Sequence, residues 1–213
     1  MKNQSLNIKD FVNVEKLSAP GIIGLENIGA TCYMNATLQC FSNIVRLRSF
    51  LIDEEVHQHL KSNKNEKQLS FALSEVLYHL WKDLKIQYYK PEVFKEKISE
   101  MNPLFKGIAA NDPKDLVLFI LETIHNELNE APKLQMNNNY MANNFNFFDV
   151  FNEFFQYFNN ENKSVISDEF YGSMNTMTTC GYCKATIHNV QSINILFFPL
   201  ESKIGRASCR ERV

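Results

Sequence analysis

Cys32 closes the run Gly24-Leu25-Glu26-Asn27-Ile28-Gly29-Ala30-Thr31 and opens Tyr33-Met34-Asn35-Ala36, so a single thiol stands between a small-residue loop and a helix-like stretch. The nucleophilic form of cysteine is the thiolate, and the unpaired N–H groups and dipole of a helix N-terminus stabilise it. Gly29, Ala30 and Thr31 are small enough to let a carbonyl substrate approach the backbone. Asn27, five residues upstream, is an amide donor placed to join the Cys32 backbone N–H around a developing oxyanion. One such donor is typically worth about 10² to 10³ in rate. The spacing alone equally fits a buried, inert cysteine at a helix start.

Cys180-x-x-Cys183 is a second pair with chemical meaning, because that spacing lets two thiolates share one tetrahedral zinc. A closed site needs four ligands, and His188, the nearest other candidate, reads better as a polar residue on a strand. A redox pair is disfavoured, since no thioredoxin-like strand and helix surround it. Thiol hydrolysis also needs a base, usually histidine. His57, His59 and His79 fall within or beside helices and read as solvated or interfacial, and His125 sits at the edge of a helix face. None is assigned a catalytic role.

Several helices must position these groups. Met34, Leu38, Phe41 and Val45 recur at helical spacing and predict a helix beginning near Cys32. Leu69, Leu73, Val76, Leu80 and Leu84 predict another, and Pro91 opens a short one through Val93, Phe94 and Ile98 that Asn102-Pro103 stops. Asp112-Pro113 with Asp115 supplies a side-chain cap, a preset backbone angle and a carboxylate at the positive helix end. Leu116, Ile120, Ile124 and Leu128 make the buried stripe of that helix. Between 136 and 163, Phe148, Phe151, Phe155 and Phe158 hold helical spacing and are expected in a core. From Ile166 onward, β-branched runs and the alternation of Ile193, Ile195 and Phe197 predict strands.

Gly24-Leu25-Glu26-Asn27-Ile28-Gly29-Ala30-Thr31-Cys32-Tyr33-Met34-Asn35 resembles the cysteine box of the ubiquitin-specific proteases, papain-like cysteine peptidases that cleave ubiquitin from proteins. Asn111-Asp112-Pro113-Lys114-Asp115-Leu116, with the helix through Ile124-His125-Asn126-Glu127-Leu128, is similar to the glutamine-containing box of that family, with departures at Asn111, Lys114, Asp115 and Leu116. Ser164-Val165-Ile166-Ser167-Asp168-Glu169-Phe170-Tyr171-Gly172, then Cys180-Gly181-Tyr182-Cys183, resembles the entrance to the β-rich fingers that cup ubiquitin. The resemblance implies an α+β papain-like fold, a helical thumb followed by the start of the fingers. It makes Cys32 the nucleophile and Asn27 the oxyanion donor, with ubiquitin and ubiquitinated proteins as partners. No cofactor is implied for catalysis; Cys180 and Cys183 are implied as half of a structural zinc set that a second CxxC completes in the intact protein. The family's histidine box lies beyond the fingers, so the fragment is expected to be inactive by itself. A non-catalytic ubiquitin-binding scaffold is the alternative.

With 213 residues the chain can bury roughly 70% of its unfolded surface. Twenty-two basic and 24 acidic residues are interspersed, which gives no electrostatic case for nucleic acid or an anionic membrane. No apolar run spans a bilayer and the polar start lacks a secretory signal, so an intracellular protein, cytoplasmic or nuclear, is expected. Five cysteines without an export signal argue against a disulfide framework. The organisation expected is a polar lead over 1–18, a partial catalytic domain over 19–202 and a tail over 203–213. That tail is arginine-rich, resembles one reading frame of a sequencing adapter, and reads as artificial read-through. Cys209, within it, is given no function.

Overall fold

The computed structural model describes residues 20–83, 85–131 and 147–196. The polar lead, Leu84, the stretch 132–146, Phe197 and the tail with Cys209 lie outside the described residues. The chain divides into two compact units, 1–136 with 159–169 and 137–158 with 170–213.

In the first unit the order is β1 (Gly24–Leu25), α1 (Cys32–Ser42), α2 (Val45–Leu51), α3 (Glu54–Ser62), α4 (Gln68–Trp81), β2 (Tyr88–Tyr89), α5 (Glu92–Met101), a 3-10 turn (Pro103–Phe105) and α6 (Pro113–Leu128). α4 is the centre. Leu69, Ala72, Leu73, Val76, Leu77 and Leu80 are all buried, so the helix is apolar on most of its circumference and must be surrounded. It packs against α1, α2, α3, α5, α6 and β2. Its N-terminus has no local side-chain cap; Glu127 of α6 accepts the Leu69 and Ser70 N–H groups at 3.0 and 2.7 Å.

Local chemistry sets the other helix ends. Asp53 caps α3 by accepting the Glu55 and Val56 N–H groups. Asp112 caps α6 by accepting the Lys114 N–H at 2.8 Å, with Pro113 in the first turn, as its sequence predicts. Leu116, Ile120, Ile124 and Leu128 are buried as expected. The first helix is shorter than its stripe suggested: α1 stops at Ser42, and Val45 opens α2 with 62% of its surface exposed. β1 and β2 form a parallel pair, Gly24 opposite Tyr88 and Leu25 opposite Tyr89.

α7 (Phe147–Glu161) belongs to the second unit except for its last turn, and α8 (Val165–Phe170) follows it in the chain. α8 corrects the expectation of strands from Ile166: Ile166 and Ser167 are buried helix positions, and the Ser164 and Ser167 side chains close its first turn by mutual hydrogen bonds. Strands begin at β3 (Gly172–Thr179), antiparallel to β4 (Thr186–Ile193), and Ile195 lies past the strand end. The aromatic stripe of α7 is also corrected. The helix forms, but it buries no residue; Phe148 is 70% and Phe155 51% exposed. One helix and one two-stranded hairpin, the described content of that unit, are too few layers to enclose it. Among the described residues, no helix is long and apolar enough to cross a membrane.

Candidate active site

Cys32 is the first residue of α1 and is exposed. Thr31, at the cap position, is buried and sends its side chain backward rather than into the helix. Its hydroxyl donates to Asn27 Oδ1 at 2.9 Å and accepts the Ile28 N–H at 3.1 Å, while its own N–H donates to Asn27 Oδ1 at 3.1 Å. A backbone N–H can only donate, so the Asn27 oxygen must face Thr31 and its Nδ2 turns away as a donor. Asn27 thus curls back to the residue beside the nucleophile.

The segment leading into the thiol is held from two sides. Asn35 Nδ2 donates to the Leu25 and Glu26 carbonyls at 3.3 and 3.0 Å, and Gln39 Nε2 to the Ile23 carbonyl at 3.2 Å. On the other side, the Glu26 N–H donates to the Tyr89 carbonyl at 2.9 Å. Burial, with the Glu75 and Glu92 carboxylates nearby, pushes the Tyr89 phenol up to about 12. Gly29 takes φ +133°, a conformation that favours glycine, and faces Ile108. Tyr33 is buried, stacks on Phe105 with centroids 6.5 Å apart, and its hydroxyl accepts from Asn111 Nδ2 at 3.2 Å. Thr31, expected only as a small residue open to substrate, is instead buried and holds Asn27; sequence reasoning missed the contacts of Tyr33 and Ile108.

The histidines of the first unit are engaged elsewhere. Of the solvated and interfacial readings of His57 the structure gives the interfacial one, buried between α3 and α4: Nδ1 lies 2.7 Å from Ser74 Oγ, Nε2 3.1 Å from Glu75 Oε1, and the ring stacks on Tyr78. His79 meets Asp83 at 3.2 Å and stacks on Tyr89. His59 is exposed, within 3.5 Å of Asn63. His125 is buried rather than at a face edge, between Ser164 Oγ at 2.8 Å and Asn162 Oδ1 at 3.1 Å. Burial lowers its pKa, opposed in part by the Asn162 bond.

In the second unit, Cys180 and Cys183 lie exposed at the tip of the β3–β4 hairpin. The Cys180 N–H donates to the Ala185 carbonyl and the Lys184 N–H to the Cys180 carbonyl, at 2.8 and 3.0 Å, with Lys184 at φ +61°. The backbone N–H groups of Cys183 and Tyr182, then the Cys183 thiol, hold the Cys180 thiol below its usual range. A metal binds the thiolate, which these bonds favour at Cys180, and the two cysteines at the hairpin tip supply the donor type for half of a tetrahedral set. His188 sits on β4 opposite Met177, 3.0 Å from Asn175 and against the Phe147 ring. No group of three or more His, Cys, Asp or Glu able to hold a metal occurs among the described residues.

The family model described as ubiquitin carboxyl-terminal hydrolase matches residues 23–206. Ubiquitin carboxyl-terminal hydrolase 4 of Mus musculus is 28% identical over 190 residues, covering 88% of this chain and 20% of its own length. Ubiquitin carboxyl-terminal hydrolase 15 of Xenopus tropicalis is 27% identical over 194 residues, covering 88% and 19%. The chain therefore spans about one fifth of these curated relatives. Among solved structures, a chain of the SAGA DUB module of Ubp8, Sgf11, Sus1 and Sgf73 bound to monoubiquitin aligns with a TM-score of 0.59 at 16% identity, over 87% of this chain and 38% of that one. This likeness extends to the fold, the mixed helix and strand architecture expected of a papain-like α+β peptidase. With the family model covering most of its length, the chain belongs to the ubiquitin carboxyl-terminal hydrolase family, as its resemblance to the ubiquitin-specific proteases implied.

Proposed function

We propose that Cys32 is the nucleophile of a deubiquitinating thiol hydrolase that cleaves the amide or isopeptide bond after the C-terminal glycine of ubiquitin. One observation carries this: Cys32 stands exposed as the first residue of α1, and Asn27 curls back to the adjacent Thr31, which holds its oxygen and leaves Nδ2 as the free donor end of the amide. The base takes the Cys32 thiol proton, the sulfur pair forms the bond to the carbonyl carbon, and the carbonyl π pair moves onto the oxygen. The Cys32 backbone N–H and Asn27 Nδ2 receive that oxyanion. Its collapse expels the amine, protonated by the base, and leaves a thioester; water then releases ubiquitin's carboxylate and restores the thiol.

The base, in this reading, lies in the intact parent protein, where the family's histidine box follows the fingers; His57 and His125 are buried against Ser74, Glu75, Ser164 and Asn162. In this reading the 213-residue chain alone has little or no turnover, ubiquitinated proteins are the substrates, and the setting is intracellular. Asn27 and Cys32 act without a metal in these steps. Cys180 and Cys183 would hold a structural zinc together with ligands from elsewhere in the intact protein, and it would supply a fixed hairpin tip rather than chemistry at Cys32.

The departures at Asn111, Lys114, Asp115 and Leu116 from the family's glutamine-containing box support a second reading, a ubiquitin-binding scaffold that keeps the fold without the chemistry. Ubiquitin carrying a C-terminal electrophile separates the two. Adduct formation at Cys32, absent in Cys32→Ala, is expected for the hydrolase. Ubiquitin binding with Cys32 left unmodified would favour the scaffold.

A further inference from the structure

We infer that Asn35 is a positioning residue of the proposed reaction: it fixes the backbone of Asn27, and through it the direction of the amide that receives the oxyanion. The inference rests on Cys32 as nucleophile and Asn27 as oxyanion donor in that reaction.

Asn35 stands about one turn along α1 from Cys32 and bonds on both sides of Asn27. Its backbone N–H donates to the Thr31 carbonyl at 2.9 Å, and Thr31 is the residue that holds Asn27 Oδ1. Its side-chain Nδ2 donates to the carbonyls of Leu25 and Glu26, the two residues before Asn27, at 3.3 and 3.0 Å. Both acceptors are carbonyl oxygens, so only the NH₂ end of the amide can face them.

A trans peptide unit is planar and stiff, with its C=O and N–H opposed. Holding the Leu25 carbonyl toward α1 turns the Glu26 N–H the other way, where it meets the Tyr89 carbonyl at 2.9 Å. Holding the Glu26 carbonyl likewise fixes the peptide plane that ends at the Asn27 Cα. Asn27 is therefore held at two points, its backbone by Asn35 and its side-chain oxygen by Thr31, and together they set the direction of Nδ2.

The other end of the Asn35 amide separates positioning from plain stability. Asn35 Oδ1 is buried and has no hydrogen-bond partner among the described residues. A buried acceptor left unpaired is destabilising. The amide thus serves two carbonyls with one end and weakens the fold with the other, a departure from full satisfaction of the kind that accompanies functional sites.

The test is a double-mutant cycle in the intact parent protein, with a fluorogenic ubiquitin C-terminal amide as substrate. Asn35→Leu keeps the size of the side chain and removes the donor. Its kcat is expected to fall about tenfold or more with KM little changed. Its thermal midpoint should stay near that of the wild type, since the unpaired oxygen is lost with the donor. Asn27→Ala/Asn35→Leu should have the kcat of Asn27→Ala alone, because Asn35 acts through an amide already removed. Losses that multiply, a wild-type kcat in Asn35→Leu, or a raised KM with kcat kept would overturn the inference. Asn35→Ala repeats the cycle with a smaller side chain, and failure of both variants to fold would make Asn35 structural and overturn it too. Two results keep the inference and the reaction apart. If Asn27→Ala lowers kcat and ubiquitin with a C-terminal electrophile labels Cys32, a failed cycle removes only the role of Asn35. If Asn27→Ala keeps the wild-type kcat, the oxyanion role of Asn27 falls and that of Asn35 with it.

Discussion

Asn27 Oδ1 accepts two hydrogen bonds from Thr31, one from the backbone N–H at 3.1 Å and one from the hydroxyl at 2.9 Å. The orientation of the proposed oxyanion donor thus depends on a residue that never faces the substrate. In the intact parent, Asn27→Ala is expected to lower kcat for a fluorogenic ubiquitin C-terminal amide by about 10² or more with little change in KM. Thr31→Val, which keeps the shape and removes the hydroxyl, should lower kcat in the same direction, and Thr31→Ser should restore it. Equal kcat in Thr31→Val and wild type would mean that the backbone bond alone orients Asn27.

Gly29 and Gly24 make an internal comparison. At φ +133° an alanine is strained whatever the space, whereas Gly24 has an ordinary backbone and nothing within 4 Å of a built Cβ. Gly29→Ala is expected to cost about 1–3 kcal/mol and to lower the midpoint of thermal unfolding by several degrees. Gly24→Ala should leave it nearly unchanged, and scanning calorimetry on both variants decides.

Glu127 caps a helix 57 residues away in sequence, through the Leu69 and Ser70 N–H groups. Removing the carboxylate in Glu127→Ala leaves both donors without their partner at the positive end of α4 and should cost about 1–2 kcal/mol. Glu127→Gln, which keeps one acceptor oxygen, should lie between. Urea denaturation midpoints measure both.

His125 carries the pH dependence. Its pKa is lowered in the folded state by burial, so the unfolded chain takes up the proton first as pH falls. The stability that the neutral ring contributes is complete above the unfolded value, about 6.5, and is lost as pH drops through the lower folded value. Stability measured by denaturant titration should therefore fall below about pH 6.5, and His125→Gln should flatten that part of the profile. An identical slope in the variant would assign the acid sensitivity to other groups.

Much of the first unit was legible because its signals are local. Asp112-Pro113-Asp115 and the stripe from Leu116 to Leu128 specify α6 by spacing and capping alone, and Leu69 to Leu80 do the same for α4. Cys32 at the start of a helix was legible from residue type and spacing, and the structure places it there as the first residue of α1. What escaped depends on distant residues. The two-residue pairing of β1 with β2, the Glu127 cap and the burial of His57 and His125 are set by tertiary packing, which no window of sequence contains. The Phe stripe of α7 illustrates the converse. Its periodicity specified the helix correctly but not whether another layer covers it.

The hydrogen bonds that shape the approach to Cys32 differ in how much chain must exist before they can form. Those from Asn35 and Gln39 close loops of 9 to 16 residues, and that between Asn27 and Thr31 spans four. Short loops close at little entropic cost and within tens of nanoseconds. During synthesis the corner around the thiol can therefore begin to organise as soon as α1 has left the ribosome, whereas Tyr88 and Tyr89, the strand that braces it from the other side, emerge later. The thiol loop is assembled first and fastened second, an order of events written in the sequence separation of its contacts.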